Sequence, residues 1–195
     1  MLNYRKLVVG ELGTNCYLLW SNDKKAVIID PGDEGVEIAQ IVAELGLTPQ
    51  LIVLTHGHFD HILGVLDLQL IFKIPVMMSD KDIFLLDRAV KTAEYYLKKK
   101  IETPKFKTKN IVDFKLSDEV IKIISTPGHT PGGVCLYSQK SGLLFTGDTL
   151  FETGIGDTSH QYSSKTDLTK SLEKIYKLKN VKTFLPGHGE EFSLT

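Results

Sequence analysis

The 195-residue chain has the composition of one globular domain: 42% of its residues are hydrophobic, 24% are charged, and the net charge is −1. That length supports one substantial core but not two independent domains, so we expect a single domain over residues 1–195. The near-neutral charge gives no reason to expect a polyanion or an acidic membrane as a partner. No apolar run approaches the ~20 residues that cross a bilayer, and the two cysteines form no disulfide framework. We therefore expect a cytoplasmic protein.

Strand-like and helix-like apolar spacing alternate along the chain. The strands are predicted at Lys6–Val9, Cys16–Trp20, Lys25–Ile29, Leu51–Leu54, Pro75–Met78, Val120–Ile124, Val134–Tyr137, Leu143–Phe145 and Thr183–Leu185. A helix capped by Asp33 is predicted after the third strand, and a second helix is predicted to begin near Asp60 and His61. A long third helix follows a cap at Ser79 or Asp80, and a last helix precedes the closing strand. Helices outside two packed sheets, a four-layer arrangement, would bury all these apolar faces.

The stretch Thr55–His61 (THGHFDH) places three histidines and one aspartate directly after a buried strand. Side chains alternate along an extended segment, so we expect His56 and His58 to point the same way, with Asp60 and His61 close behind. Neutral imidazole combined with carboxylate suits zinc, iron or manganese and does not suit a calcium cage. The stretch therefore predicts a transition-metal site.

Three further residues of ligand type follow strands in the second half of the chain: His129, Asp148 and His188. Each stands at the tip of an apolar strand beside glycine or proline, which holds the backbone in a sharp turn. Five of the six histidines occupy these positions or the THGHFDH stretch, and only His160 does not. The pattern predicts that the second half of the chain completes the metal site.

Six short motifs occur in order along the chain. They are Gly13–Tyr17 (GTNCY), Ile29–Gly32 (IDPG), Thr55–His61 (THGHFDH), Pro127–Thr130 (PGHT), Gly147–Phe151 (GDTLF) and Pro186–Gly189 (PGHG). Together they resemble the metallo-β-lactamase superfamily, and within it the small glyoxalase II-like (hydroxyacylglutathione hydrolase-like) enzymes. The resemblance covers nearly the whole chain. It implies an α/β (α+β) fold, a four-layer αββα sandwich with the metals at one edge, between the sheets.

The resemblance also implies two divalent metal ions as cofactors, zinc in the first place, with iron or manganese as alternatives. By resemblance, His56, His58 and His129 would hold the first metal, Asp60, His61 and His188 the second, and Asp148 both. Two metals about 3.5 Å apart can trap a hydroxide and polarise an acyl carbonyl. Asp60 would also align that hydroxide, and Asp30 would accept a hydrogen bond from a ligand histidine.

A small-molecule thioester suits this machinery, because a thiol with a pKa near ~8.5 leaves as thiolate without strong acid help. Full-length glyoxalase II enzymes carry a C-terminal helical domain that grips glutathione. We expect no such domain here, since the chain ends seven residues after His188. Those enzymes also place a lysine or arginine where this chain has Asp157, which argues against glutathione. His160 and Tyr162, in the loop that follows, are predicted to line the substrate mouth.

Other activities stay open. β-Lactamases and lactonases share the metal ligands, although lactonases carry a tyrosine where Phe151 stands. Persulfide dioxygenases lack a ligand of the His188 type. A nuclease or phosphodiesterase has only the lysine-rich stretch 98–115 in its favour. Such a stretch is more often a solvated helix end and loop, so nucleic acid is not the expected partner. The sequence carries no signal for the oligomeric state.

Overall fold

The computed structural model describes residues 2–98, 100–101 and 105–193. The strands are β1 (Asn3–Val9), β2 (Thr14–Trp20), β3 (Lys25–Ile29), β4 (Thr48–Val53), β5 (Val76–Met78), β6 (Thr108–Asn110), β7 (Phe114–Leu116), β8 (Glu119–Ser125), β9 (Val134–Ser138), β10 (Leu143–Gly147), β11 (Leu150–Phe151), β12 (Gly154–Ile155) and β13 (Thr183–Pro186). The helices are α1 (Gly35–Glu44), α2 (Val65–Phe72), α3 (Ile83–Leu97) and α4 (Lys165–Tyr176), and 3₁₀ turns cover Phe59–His61 and Asp80–Asp82. Every strand and helix predicted from the sequence is present, with shifted ends.

Two sheets carry the fold. The first contains β1 to β6 in that order, antiparallel from β1 to β3 and parallel from β3 to β6. The second has the order β13-β10-β9-β8-β7, with β13 parallel to β10 and antiparallel pairing from β7 to β10. Because β8 and β10 both run antiparallel to β9, the C-terminal ends of β8, β10 and β13 lie at the same edge.

The layers follow from side-chain alternation along the strands. On β2, Cys16 and Leu18 belong to a core shared with α1, α2 and α3, while Tyr17 and Leu19 belong to a core between the two sheets. A third core lies between the second sheet and α4, which contributes Ile175. Both sheets are thus covered on both faces, which confirms the predicted αββα sandwich.

The second helix begins at Val65, so its predicted start near Asp60 and His61 is wrong. Those two residues lie in a 3₁₀ turn. Leu63 and Gly64 donate their backbone N–H groups to the loop after β3, at 3.1 and 3.0 Å. These bonds replace the i to i−4 bonds of a continuous helix. Contact with the β3 loop therefore keeps Leu63 and Gly64 out of the helix, which begins at Val65.

The cap of α1 is Glu34, one residue after the predicted Asp33. Glu34 has a left-handed backbone, with φ 55°. The Asp33 carboxylate accepts the N–H of Glu34 at 2.8 Å, so it bonds to its own loop and not to the first turn of the helix. Short polar side chains often make such local bonds in place of a helix cap.

The lysine-rich stretch 98–115 contains β6 and β7, which the sequence did not predict. β6 extends the first sheet beside β5, and β7 is the edge strand of the second sheet. Lys99 lies outside the described residues; the other six lysines of the stretch are exposed, as expected for a solvated surface. β6 (TKN) and β7 (FKL) lack the continuous apolar run of the equally short β5 (VMM), and three residues are too few to show an alternating pattern.

Cys16 and Cys135 are free and fully buried, in different cores. Burial raises the pKa of both thiols, that of Cys135 to about 11, so both side chains are neutral packing groups at pH 7. None of the helices in the described ranges is long and apolar enough to cross a membrane.

Candidate metal centre

Both sheets direct the C-terminal ends of several strands to one place. The residues that follow these ends are Asp30 and His56 in the first sheet and His129, Asp148 and His188 in the second. Backbone hydrogen bonds join the two sets of loops: Val134 N–H donates to the Thr55 carbonyl at 2.9 Å, and Asn15 N–H to the Gly187 carbonyl at 2.7 Å. The site is therefore supported by backbone bonds from both sheets.

His56, His58 and His129 form a three-histidine cluster. Nδ1 of His58 lies 3.1 Å from Nε2 of His56 and 3.0 Å from Nε2 of His129. Two of these rings come from the β4 loop and the third from the β8 loop, so the two sheets meet here. His56 and His129 are buried, and His58 is half-buried.

Asp60, His61 and His188 form a second group, the aspartate cluster. Nε2 of His188 lies 3.3 Å from Nε2 of His61 and 3.3 Å from Oδ2 of Asp60. The Thr14 hydroxyl donates to the same Asp60 oxygen at 3.3 Å, which helps to fix the carboxylate. His61 is completely buried, whereas His188 is half-buried.

Asp148 lies between the two clusters. Its Oδ2 is 3.5 Å from Nε2 of His129, and its Oδ1 is 3.5 Å from Nε2 of His61. Oδ1 is buried, and the described part of the chain offers it no hydrogen-bond donor. Gly187 approaches this oxygen so closely that a Cβ there would lie 2.2 Å away. A buried carboxylate oxygen without a donor is costly unless a cation binds it.

Hydrogen bonds behind two rings determine which nitrogen faces the centre. Nδ1 of His61 lies 3.0 Å from Oδ2 of Asp30, and Nδ1 of His129 lies 2.8 Å from the carbonyl oxygen of Asp157. A carboxylate oxygen and a carbonyl oxygen both accept hydrogen bonds, so each Nδ1–H is the donor. In the neutral rings, Nε2 then presents its lone pair to the centre.

Two more rings, those of His56 and His58, are held in a similar way. The Thr55 hydroxyl donates to Asp30 at 2.6 Å and lies 3.0 Å from Nδ1 of His56, from which it accepts. The Tyr162 hydroxyl lies 2.8 Å from Nε2 of His58, which leaves Nδ1 for the centre. When these four rings are neutral, each aims a lone pair at a common space. Lone pairs converging at hydrogen-bond distance repel each other unless a cation lies between them.

The charges of the site also favour a bound cation. Burial, with repulsion from neighbouring imidazoles, lowers the pKa of His56 well below its usual value and that of His58 to about 3. Burial also lowers the pKa of His61, but Asp148 and Asp60 outweigh it and raise that pKa to about 10. Without metal, a proton on His61 balances the carboxylates. A bound cation would replace that proton.

The donor set fits a pair of metal ions. The ligand atoms of each cluster lie within 4.8 Å of one another, and Asp148 connects the clusters. Asp30 also lies within this distance of His56 and His61. Its oxygens, however, already accept from Thr55 and His61, which is the contact predicted for an orienting residue.

Asp82 supports the site and was missed in the sequence. Its carboxylate is fully buried and accepts from Gly57 N–H at 3.1 Å, Gly132 N–H at 2.6 Å and the Thr130 hydroxyl at 2.7 Å. Gly57 separates His56 from His58, and Thr130 adjoins His129. Asp82 thus ties together the two loops that carry the three-histidine cluster. The start of a helix is an ordinary place for aspartate, so the sequence offered no signal.

The three predicted substrate residues are placed differently. Tyr162 contacts His58, and the His160 ring stacks on the Tyr162 ring with centroids 5.2 Å apart, so both lie beside the three-histidine cluster. The exposed Asp157 carboxylate instead accepts from Ser159 N–H at 2.9 Å and from its hydroxyl at 2.6 Å. These bonds lower the pKa of Asp157, so the group is ionised at pH 7.

Fold and site together define a metallo-hydrolase with histidine and aspartate metal-binding clusters. More particularly, residues 9–188 match the family described as the Metallo-beta-lactamase superfamily, and the chain belongs to that superfamily. The resemblance seen in the sequence motifs is therefore confirmed.

Individual relatives agree with this placement. The chain is 33% identical over 195 residues to the probable metallo-hydrolase YqgX of Bacillus subtilis, covering 97% of this chain and 92% of the relative. It is 31% identical over 193 residues to the hydroxyacylglutathione hydrolase GloC of Haemophilus influenzae, covering 96% and 91%. The crystal structure of BLEG-1 B3 metallo-beta-lactamase matches with a TM-score of 0.86 at 32% identity, covering 98% and 94%. That of TTHA1623 in a di-iron-bound form matches with a TM-score of 0.88 at 29% identity, covering 97% and 94%.

Proposed function

We propose that this chain is a dinuclear metal-dependent hydrolase that cleaves the thioester of a small acyl substrate. The proposed ligands are His56, His58 and His129 for one ion, Asp60, His61 and His188 for the other, and Asp148 for both. The observation that carries the proposal is the orphaned oxygen of Asp148 between two clusters of converging lone pairs. Imidazole and carboxylate suit zinc, and the di-iron form of TTHA1623 supports iron as the alternative.

Two divalent ions bound there would supply activated water at neutral pH and polarise the substrate carbonyl. Asp60 would orient that water. Burial raises the pKa of Asp60, but the charges of His61 and His188 outweigh burial and hold it below the usual range. The carboxylate is therefore ionised and available as a proton acceptor, and the Thr14 hydroxyl at 3.3 Å restrains its rotation. Asp30 would keep His61 in the tautomer that binds metal.

Two observations support a thioester. A thiolate leaves without strong acid help, which suits a site where the Tyr162 hydroxyl is already bonded to His58 and the Thr55 hydroxyl donates to Asp30. The name of the Haemophilus relative, hydroxyacylglutathione hydrolase, supports the same class. The Asp157 carboxylate offers no cation to a glutathione carboxylate.

β-Lactam hydrolysis is the second candidate, because the structure named BLEG-1 B3 metallo-beta-lactamase is among the similar ones. Water attacks a carbonyl carbon in both reactions, so only a comparison of substrates separates them. Zinc-loaded protein would be assayed with a chromogenic thioester, a lactone, a chromogenic β-lactam and an activated phosphodiester. We expect the largest kcat/KM for the thioester and no turnover after the metal is removed with EDTA. Faster β-lactam or phosphodiester hydrolysis would replace the thioesterase proposal.

A further inference from the structure

A groove lies between α3 and the loop that carries His160 and Tyr162. It consists of two adjoining cavities of about 220 and 110 Å³. The two cavities share the lining residues His58, Phe59, Thr92, Tyr96, His160 and Tyr162, and we call their union the aromatic groove. Asp60 also lines the smaller cavity. The groove therefore opens on one residue of each metal-binding cluster.

Aromatic rings line the groove on two sides. The Phe59 and Tyr96 rings stack with centroids 5.9 Å apart and planes 20° apart. The His160 and Tyr162 rings stack with centroids 5.2 Å apart and planes 14° apart. The bond from the Tyr162 hydroxyl to His58 holds the second pair in place. Ordered ring pairs of this kind favour a flat, unsaturated guest, since aromatic contacts add to simple burial.

The far end of the groove is positively charged. Arg88, on α3, lines the larger cavity, and its guanidinium lies over the Phe84 ring at 5.4 Å. Within the described ranges, the ion pairs that do not involve histidine are all formed by lysine, and Arg88 forms none. A guanidinium held against a ring and facing a cavity is a natural partner for a carboxylate.

Resting on the proposed hydrolase function, we propose that the aromatic groove binds one arm of the substrate, a planar aromatic or conjugated group whose carboxylate pairs with Arg88. The reacting carbonyl then lies at the other end, beside His58 and Asp60. A cavity of about 150 Å³ can accommodate benzene, so the larger cavity has room for one substituted ring. This assigns a substrate class that the metal-binding clusters alone do not specify.

Three thioesters of N-acetylcysteamine test the assignment: 4-carboxybenzoyl, benzoyl and cyclohexanecarbonyl. With zinc-loaded wild type we expect kcat/KM to fall in that order. Arg88→Met should raise KM for the 4-carboxybenzoyl substrate about three- to tenfold and leave the benzoyl substrate unchanged. Tyr96→Leu should raise KM for both aromatic substrates about two- to tenfold. The matched controls are Arg5→Met, the other arginine of the chain, and Tyr176→Leu, which is exposed to a similar degree (56% against 54% for Tyr96).

A binding experiment separates this inference from the proposed function. Terephthalate, which cannot be hydrolysed, is titrated into the zinc-loaded protein by calorimetry, and cyclohexanecarboxylate serves as the comparison. Terephthalate binding that is weakened by Arg88→Met supports the groove even if no thioester is turned over. Equal kcat/KM for all three thioesters, unchanged by Arg88→Met and Tyr96→Leu, overturns the groove and leaves the hydrolase proposal intact.

Discussion

Replacing Asp82 by Asn should loosen the loops that hold the three-histidine cluster. The carboxylate accepts three hydrogen bonds, two of them from the backbone N–H groups of Gly57 and Gly132. Asparagine keeps the shape but offers one acceptor, so one buried N–H must face the new NH₂ group. Such an unsatisfied donor costs about 1–3 kcal/mol. Burial raises the pKa of Asp82, so the neutral amide regains part of that cost, and we expect a net loss of about 1–2 kcal/mol.

For a chain of this length, that loss corresponds to a decrease in Tm of about 2–8 °C, measured on the metal-free protein by calorimetry. Zinc affinity should fall more at one of the two sites, because Asp82 bonds to Gly57, Thr130 and Gly132, which adjoin the ligands of the three-histidine cluster. Asp80→Asn is the matched control, since Asp80 lies in the same 3₁₀ turn and is exposed. A Tm within 1 °C of wild type, with both zinc affinities unchanged, would refute the role assigned to Asp82.

Three other predictions concern chemistry, specificity and pH. Asp60→Asn should lower kcat by about 10²-fold or more in a folded protein, and near wild-type turnover would contradict its role. Asp157→Arg should raise kcat/KM for S-lactoylglutathione about two- to fivefold, the range for an exposed ion pair, and no change would show that this loop does not meet the substrate. Acidification from pH 7 to 5 should lower the Tm of metal-free protein. His56, which is buried, and His58, which is half-buried, stay neutral when folded, with the pKa of His58 lowered to about 3, but take up protons near pH 6.5 when unfolded. His61, whose pKa is raised to about 10, keeps its proton when folded but gains one near pH 6.5 when unfolded. Its contribution to stability therefore grows as the pH falls toward about 6 and offsets only part of the loss, so a flat Tm would contradict these shifts.

The layers of the fold were predictable because their elements are long enough to show a period. The alternation from Cys16 to Leu19 and the helical spacing of Leu168, Leu172 and Ile175 both report which face is buried, and the structure confirms them. β6, β7, β11 and β12 span only two or three residues, which is too short for a pattern. β6 pairs with β5, β7 with β8, and β11 with β12, so these strands are defined by their pairing in the folded structure and not by their own sequence.

The metal-ligand residues of the candidate site were predictable, because histidine and aspartate are the residue types that bind such metals. Histidines and aspartates at strand ends are rare enough to stand out, and the structure brings all seven predicted ligand residues together. Asp82 did not stand out, because its burial comes from the approach of two glycine-containing loops. Phe59 and Tyr96 gave no signal either, since a groove wall is defined by what lies opposite it and not by its own sequence.

The central claim is that the two clusters bind two metal ions, and the amount of bound metal tests it most directly. Elemental analysis after dialysis against trace zinc should approach two equivalents per wild-type chain. His188→Ala should retain about one, and His160→Ala, which changes the one histidine outside both clusters, should retain two. We predict this pattern at pH 7.5. A wild-type protein that never binds more than one equivalent would contradict the dinuclear account.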